Sequence, residues 1–102
     1  MLFLTYWEIN ENMSEGDRIK FLQKLMSSGL FPPKDVNILR MDTTPDGWGI
    51  VLFEAQNAAD VIRSLDVYRM AEGGFFKFTK TAPVIPVEEA MPISESFVKA
   101  LG

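Results

Sequence analysis

The chain has 102 residues, with ten Lys and Arg against fourteen Asp and Glu, a net charge of −4 and 47% apolar residues. This is ordinary globular composition, enough for one domain with one core. It excludes a disordered tail, a collagenous chain and a disulfide scaffold, and the acidic balance argues against a polyanion as the main partner.

Leu2 to Ile9 (LFLTYWEI) is short and rich in aromatic and branched residues, and it reads as a strand. Asn10 to Met13 is a polar turn. Ser14 followed three residues later by Asp17 resembles a capping box with Asp in place of Glu. Ile19, Leu22, Leu25 and Met26 then recur at helical spacing with Phe21 beside them, and Gly29 is a helix stop. Phe31-Pro32-Pro33-Lys34 is a connection, because the prolines cannot continue a helix. Val36 to Asp42 is a second strand, Thr43 to Gly47 is turn chemistry, and Trp48 to Ala55 is the strongest strand in the chain. Asn57 is an N-cap, with Asp60 at the same offset as before. Ala58, Ala59, Ile62 and Leu65 form an apolar helical stripe that fades after Asp66, and Gly73-Gly74 ends the region. Phe75 to Ala82 is a fourth strand, stopped by Pro83 and Pro86. A short helix is expected from Ser94. Residues 1–90 therefore form an α+β domain of order β-α-β-β-α-β, the split βαβ of ferredoxin-like folds, and residues 91–102 form a C-terminal tail. Two helices cover one face of a four-stranded antiparallel sheet.

The strands do not alternate between apolar and polar residues. On the first, Leu2, Leu4 and Tyr6 point one way and Phe3, Thr5 and Trp7 the other. On the third, Val51 and Phe53 oppose Trp48, Ile50 and Leu52. A sheet apolar on both sides needs cover on both sides. Each buried aliphatic contributes roughly 1.5–3 kcal/mol, and an exposed patch of several hundred Å² exceeds what a monomer tolerates. The expected cover is a second copy of the chain, through an interface that includes Phe3, Trp7, Trp48 and Ile50. The alternative cover is the tail, Val84 to Leu101, folded back on the sheet.

These residues carry a resemblance. Leu4-Thr5-Tyr6-Trp7, Phe31-Pro32-Pro33, Gly49 to Asn57 (GIVLFEAQN) and Lys80 to Ala90 (KTAPVIPVEEA) are similar to those of a family of small proteins, a domain of unknown function in the dimeric α+β barrel superfamily. The likeness covers the chain to Ala90. It implies a homodimer with a cavity between the two sheets, and no known substrate. Cofactor-free monooxygenases, lactone isomerases and haem-degrading enzymes also belong to that superfamily. The haem-binding kind needs a His ligand, and the chain contains neither His nor Cys.

That absence also removes the thiolate nucleophile, Cys-based zinc and the usual general base. Chemistry would run on carboxylates, Lys, Tyr, Ser or Thr, and no cofactor or metal is expected. Asp35, Asp42 and Asp46 lack the spacing of a calcium loop. If there is a reaction, Glu54 is the candidate general base, since it alternates with Trp48, Ile50 and Leu52 and desolvation would raise its pKa. Thr5, Trp7, Trp48, Ile50, Leu52 and Thr79 would line the ligand pocket. The bland reading of Glu54 is a solvated strand end, or a pair with Lys77 or Arg40. A second function class is single-strand nucleic-acid binding, because Asp46-Gly47-Trp48-Gly49 approaches the Lys/Arg-Gly-aromatic-Gly start of an RNA-recognition motif, with Phe3 and Trp48 as stacking platforms. The leading Asp and the acidic balance oppose it. A third class is a structural or regulatory protein whose dimer is the point. The N-terminal apolar stretch ends at Glu8 and the longest later apolar run is Ile50 to Phe53, so neither a signal segment nor a membrane span is expected and the location read from sequence is cytoplasmic.

Overall fold

The computed structural model describes residues 1–102. The elements are β1 (Leu2–Ile9), α1 (Glu15–Ser28), β2 (Asn37–Thr43), β3 (Trp48–Glu54), α2 (Ala58–Arg69), β4 (Phe76–Pro83) and α3 (Val87–Leu101). The four strands form one antiparallel sheet in the order β2-β3-β1-β4, a ferredoxin-like α+β arrangement. Local signals set the helix ends. The Ser14 hydroxyl accepts from the Asp17 amide at 3.1 Å, the Asn57 side chain accepts from the Asp60 amide at 3.0 Å, and Gly29 closes α1 in the left-handed conformation.

Both helices are rotated from the stripes expected. On α1 the covered residues are Phe21, Leu22 and Leu25, while Ile19 and Met26 stay exposed. On α2 Val61, Ser64, Leu65 and Tyr68 turn inward, and Ala58, Ala59 and Ile62 face out. The cause is the aromatic group at the end of α2. Tyr68 lies 5.0 Å from Phe31, 5.4 Å from Phe75 and 5.0 Å from Phe76, and burying it fixes the rotation of the helix. The expected stripe stopped before reaching Tyr68.

The C-terminal helix begins at Val87 rather than near Ser94, and it contains Pro92. That proline has no N–H to donate to the Glu88 carbonyl one turn earlier. The helix has no buried residue, and every residue from Met91 onward is exposed.

The core is split in two. Phe3, Val36, Phe53, Ala55 and Val61 form one cluster, and Leu25, Phe31, Tyr68, Ala71 and Phe75 form the other, with Ile38 packed against both. Only 14 of 102 residues are buried. The chain exposes 7427 Å² for 11.5 kDa, against about 5,800 Å² for a folded monomer of that mass. Its radius of gyration is 16.9 Å, where a compact chain of this length has about 13 Å.

Gly49 lies near the start of β3, between Thr43 and Trp7. A Cβ there would collide with the Asp42 carbonyl oxygen and lie 2.5 Å from Trp7 Cζ2, so only glycine lets the indole lie against the β3 backbone. Replacing Gly49 by Ala is expected to lower the unfolding free energy by about 1–3 kcal/mol. Gly16→Ala, on a helix position with nothing within 4 Å, is expected to raise it by roughly 0.5–1 kcal/mol. Urea titration of the two variants checks both signs.

Candidate functional site

Strand register decides which residues share a face. Leu4 pairs with Leu52, Tyr6 with Ile50 and Glu8 with Trp48, so these six lie on one side of the sheet together with Leu2 and Glu54. Phe3, Thr5 and Trp7 pair with Phe53, Val51 and Gly49 on the other side, under the helices. The expected pocket is therefore divided. Trp48, Ile50, Leu52 and Glu54 belong to the open face, while Thr5, Trp7 and Thr79, the partner of Trp7 across β4, belong to the helix face. Phe3 is buried in the core, which removes it both from a sheet-to-sheet interface and from the role of stacking platform. Trp7 leaves the interface set for the same reason of facing.

The helix face holds a cavity of about 170 Å³ between the two core clusters. Trp7, Leu22, Phe31, Ile38, Val51, Phe53, Leu65, Tyr68, Phe75 and Phe76 supply its apolar walls, and Met41, half exposed, stands at its rim. It contains no carboxylate and no amine. Two of its three hydroxyls are committed: Thr5 Oγ1 lies 2.8 Å from Thr81 Oγ1, and Ser64 Oγ donates to the Asp60 carbonyl at 2.9 Å. Thr5, only 1% exposed, is tolerated in the core because of that bond. Tyr68 brings the third. Burial pushes its phenol up to about 12, with no hydrogen bond contributing. It therefore remains a neutral donor at every physiological pH.

Glu54 is exposed at the end of β3, opposite Leu2 and Asn37, and on the far side of the sheet from the cavity. It makes no ion pair; Arg40 is bound instead to Asp42 at 2.6 Å. Glu54 shares the open face with Trp48, Ile50 and Leu52, as its alternation predicts, so it cannot serve as general base to a ligand held in this cavity. No three His, Cys, Asp or Glu side chains gather as metal ligands.

The open face has an apolar centre and a charged rim. Leu2, Leu4, Ile50 and Leu52 occupy the middle, flanked by an aromatic row in which Tyr6 lies 5.8 Å from Trp48 and 6.1 Å from Phe78. Trp48 is 40% exposed and Phe78 48%. Arg40, Asp42, Glu8, Lys80 and Glu54 surround them. The Tyr6 hydroxyl donates to Glu8 Oε2 at 2.9 Å, which raises the Tyr6 pKa, with desolvation and the Glu8 charge adding to the effect. The rim carries three carboxylates against two cations, which opposes a phosphate backbone.

Sequence reasoning missed the Tyr68 cluster. The signal for it was present as Phe31 before β2, Tyr68 in the last turn of α2, and Phe75 and Phe76 where β4 begins. Comparison with protein-family models finds no match, and comparison with curated proteins finds none either. No helix is long and apolar enough to cross a membrane.

A phenol raised in the folded state binds its proton more tightly than in the unfolded chain, so its stabilising contribution is complete below pH 10 and is lost as pH rises toward 12. Wild-type protein is expected to lose urea resistance between those values more steeply than Tyr68→Phe. Absorbance titration of the phenolates should show a tyrosine transition near pH 12 that is missing in the variant.

Proposed function

We propose that the chain is a homodimeric binding protein for a small, largely apolar molecule. The molecule sits between the sheet and the helices, and a second copy covers the open sheet face as in dimeric α+β barrels. The cavity carries this reading. It is an apolar cleft of about 170 Å³, open at Met41, whose walls an apolar molecule would take out of water. A domain with only 14 buried residues has little stability to spare. Apolar cavities near 150 Å³ admit a single aromatic ring such as benzene, and the walls here are mostly aromatic and aliphatic.

The lining favours binding over catalysis. Its surface is almost wholly apolar, which supports a ligand that needs no hydrogen-bond partner, and it offers no carboxylate or amine. Cover of the open face by a second copy is supported by its apolar centre, its charged rim and the large exposed area of the single chain.

Indole, phenol and toluene are the probes. A bound probe is expected to raise the thermal midpoint, by mass action at about 2.7 kcal/mol when present at 100 times its dissociation constant. Val51→Phe fills the cavity, and in that variant the rise should vanish while the circular dichroism spectrum stays native. A wild-type midpoint unmoved by all three probes overturns the binding reading.

A further inference from the structure

Helix α3 is the least supported element of the chain. Its 15 residues bury none of their side chains, and Phe97 is 64% and Leu101 90% exposed. Val87, Met91, Val98 and Leu101 fall with Phe97 on one stripe at helical spacing, while Glu88, Glu95 and Lys99 lie outside it. A lone helix of about 15 residues is marginal in water, and an internal proline weakens it further. The stripe needs a surface to lie on.

Three surfaces compete. The body of the same chain does not take it, since α3 lies free and the molecule extends 58 Å along its longest axis against 30 and 19 Å in the others. A lipid surface fits poorly, because helices that lie in membranes carry Lys and Arg on the polar side, and this one carries Glu88, Glu89 and Glu95 against Lys99 alone. A second copy of the chain fits on three counts. The chain exposes roughly 1,600 Å² more than a folded monomer of its mass, about twice what each partner gives up in a standard interface. α3 follows the edge strand β4 after only a short connection, with the Val84 amide still bonded to the Leu2 carbonyl, so it starts at the rim of the open face. The charges also match: Lys77 and Lys80 of β4 and the three α3 glutamates are all without ion-pair partners in the single chain.

We infer that α3 is an exchanged arm, which lays its apolar stripe on a second copy of this chain at the edge of the sheet-to-sheet contact. Two-fold symmetry then buries both stripes by one set of contacts used twice. The inference rests on the proposal that a second copy covers the open face, and the experiment separates the two.

The test uses full-length chains in a sedimentation dilution series: wild type, the arm variant Phe97→Asp with Leu101→Asp, and the sheet variant Ile50→Lys. The arm residues are exposed in the single chain, so the arm variant should keep its fold. The expected result is a dimer for wild type, at least a tenfold weaker dimer for the arm variant, and loss of dimer for the sheet variant. A dimer as tight in the arm variant as in wild type overturns the arm and leaves the sheet contact standing. A monomeric wild type overturns both. The chain has no cysteine, so Val98→Cys accepts one environment-sensitive fluorophore. Its emission should shift to the blue as protein concentration rises. A shift independent of concentration means that α3 folds back on its own body, and a shift seen only with mixed phosphatidylcholine and phosphatidylserine vesicles means a membrane; either overturns the arm.

Discussion

The pairing of β1 with β3 puts apolar side chains on both faces of the sheet centre, and two helices can cover only one of them. Phe3, Thr5 and Trp7 go under the helices with Val51 and Phe53; Leu2, Leu4 and Tyr6 go to the open side with Ile50 and Leu52. Everything else in the molecule follows from that division. The inner set builds the core and its cavity. The outer set, with Trp48 and Phe78, leaves a hydrophobic centre inside a charged rim, the anatomy of an interface core.

The inner side is held by aromatic contacts of unusual economy. Gly49 lets the Trp7 indole lie on β3, Phe76 lies 5.7 Å from that indole, and Tyr68 joins Phe76 to Phe31 and Phe75. The same rings and the shorter residues Thr5, Val51 and Ser64 line the cavity. Residues of both core clusters contribute to that lining, and Ile38 packs against both.

Most of the fold was legible in the sequence because its signals are local. Ser14, Gly29 and Asn57 mark helix ends by short-range hydrogen bonds and backbone conformation, and Thr43 to Gly47 marks the hairpin turn. The site was legible only in pieces. The alternation within each strand is correct, but nothing local says whether Leu4 or Thr5 shares a face with Leu52. A one-residue slip between β1 and β3 exchanges the faces, and with both sets apolar, hydrophobicity could not choose. Thr5 was expected in a pocket at a sheet-to-sheet contact, and it lines the cavity under the helices instead, with its hydroxyl bonded to Thr81. Helix α3 was legible only in its second half: a short helix was expected from Ser94, whereas it begins at Val87, directly after Pro86, and accommodates Pro92.

A chain that covers only one face of its sheet, and leaves a whole helix unpacked, should gain stability when it meets a second copy. Linkage then requires the unfolding midpoint to depend on concentration. The direct measurement is the urea midpoint of the wild-type chain across a thousandfold range of protein concentration. The account predicts a midpoint that climbs steadily with concentration. A midpoint constant over that range would show that the single chain is stable with its aromatic face in water, and would contradict the account.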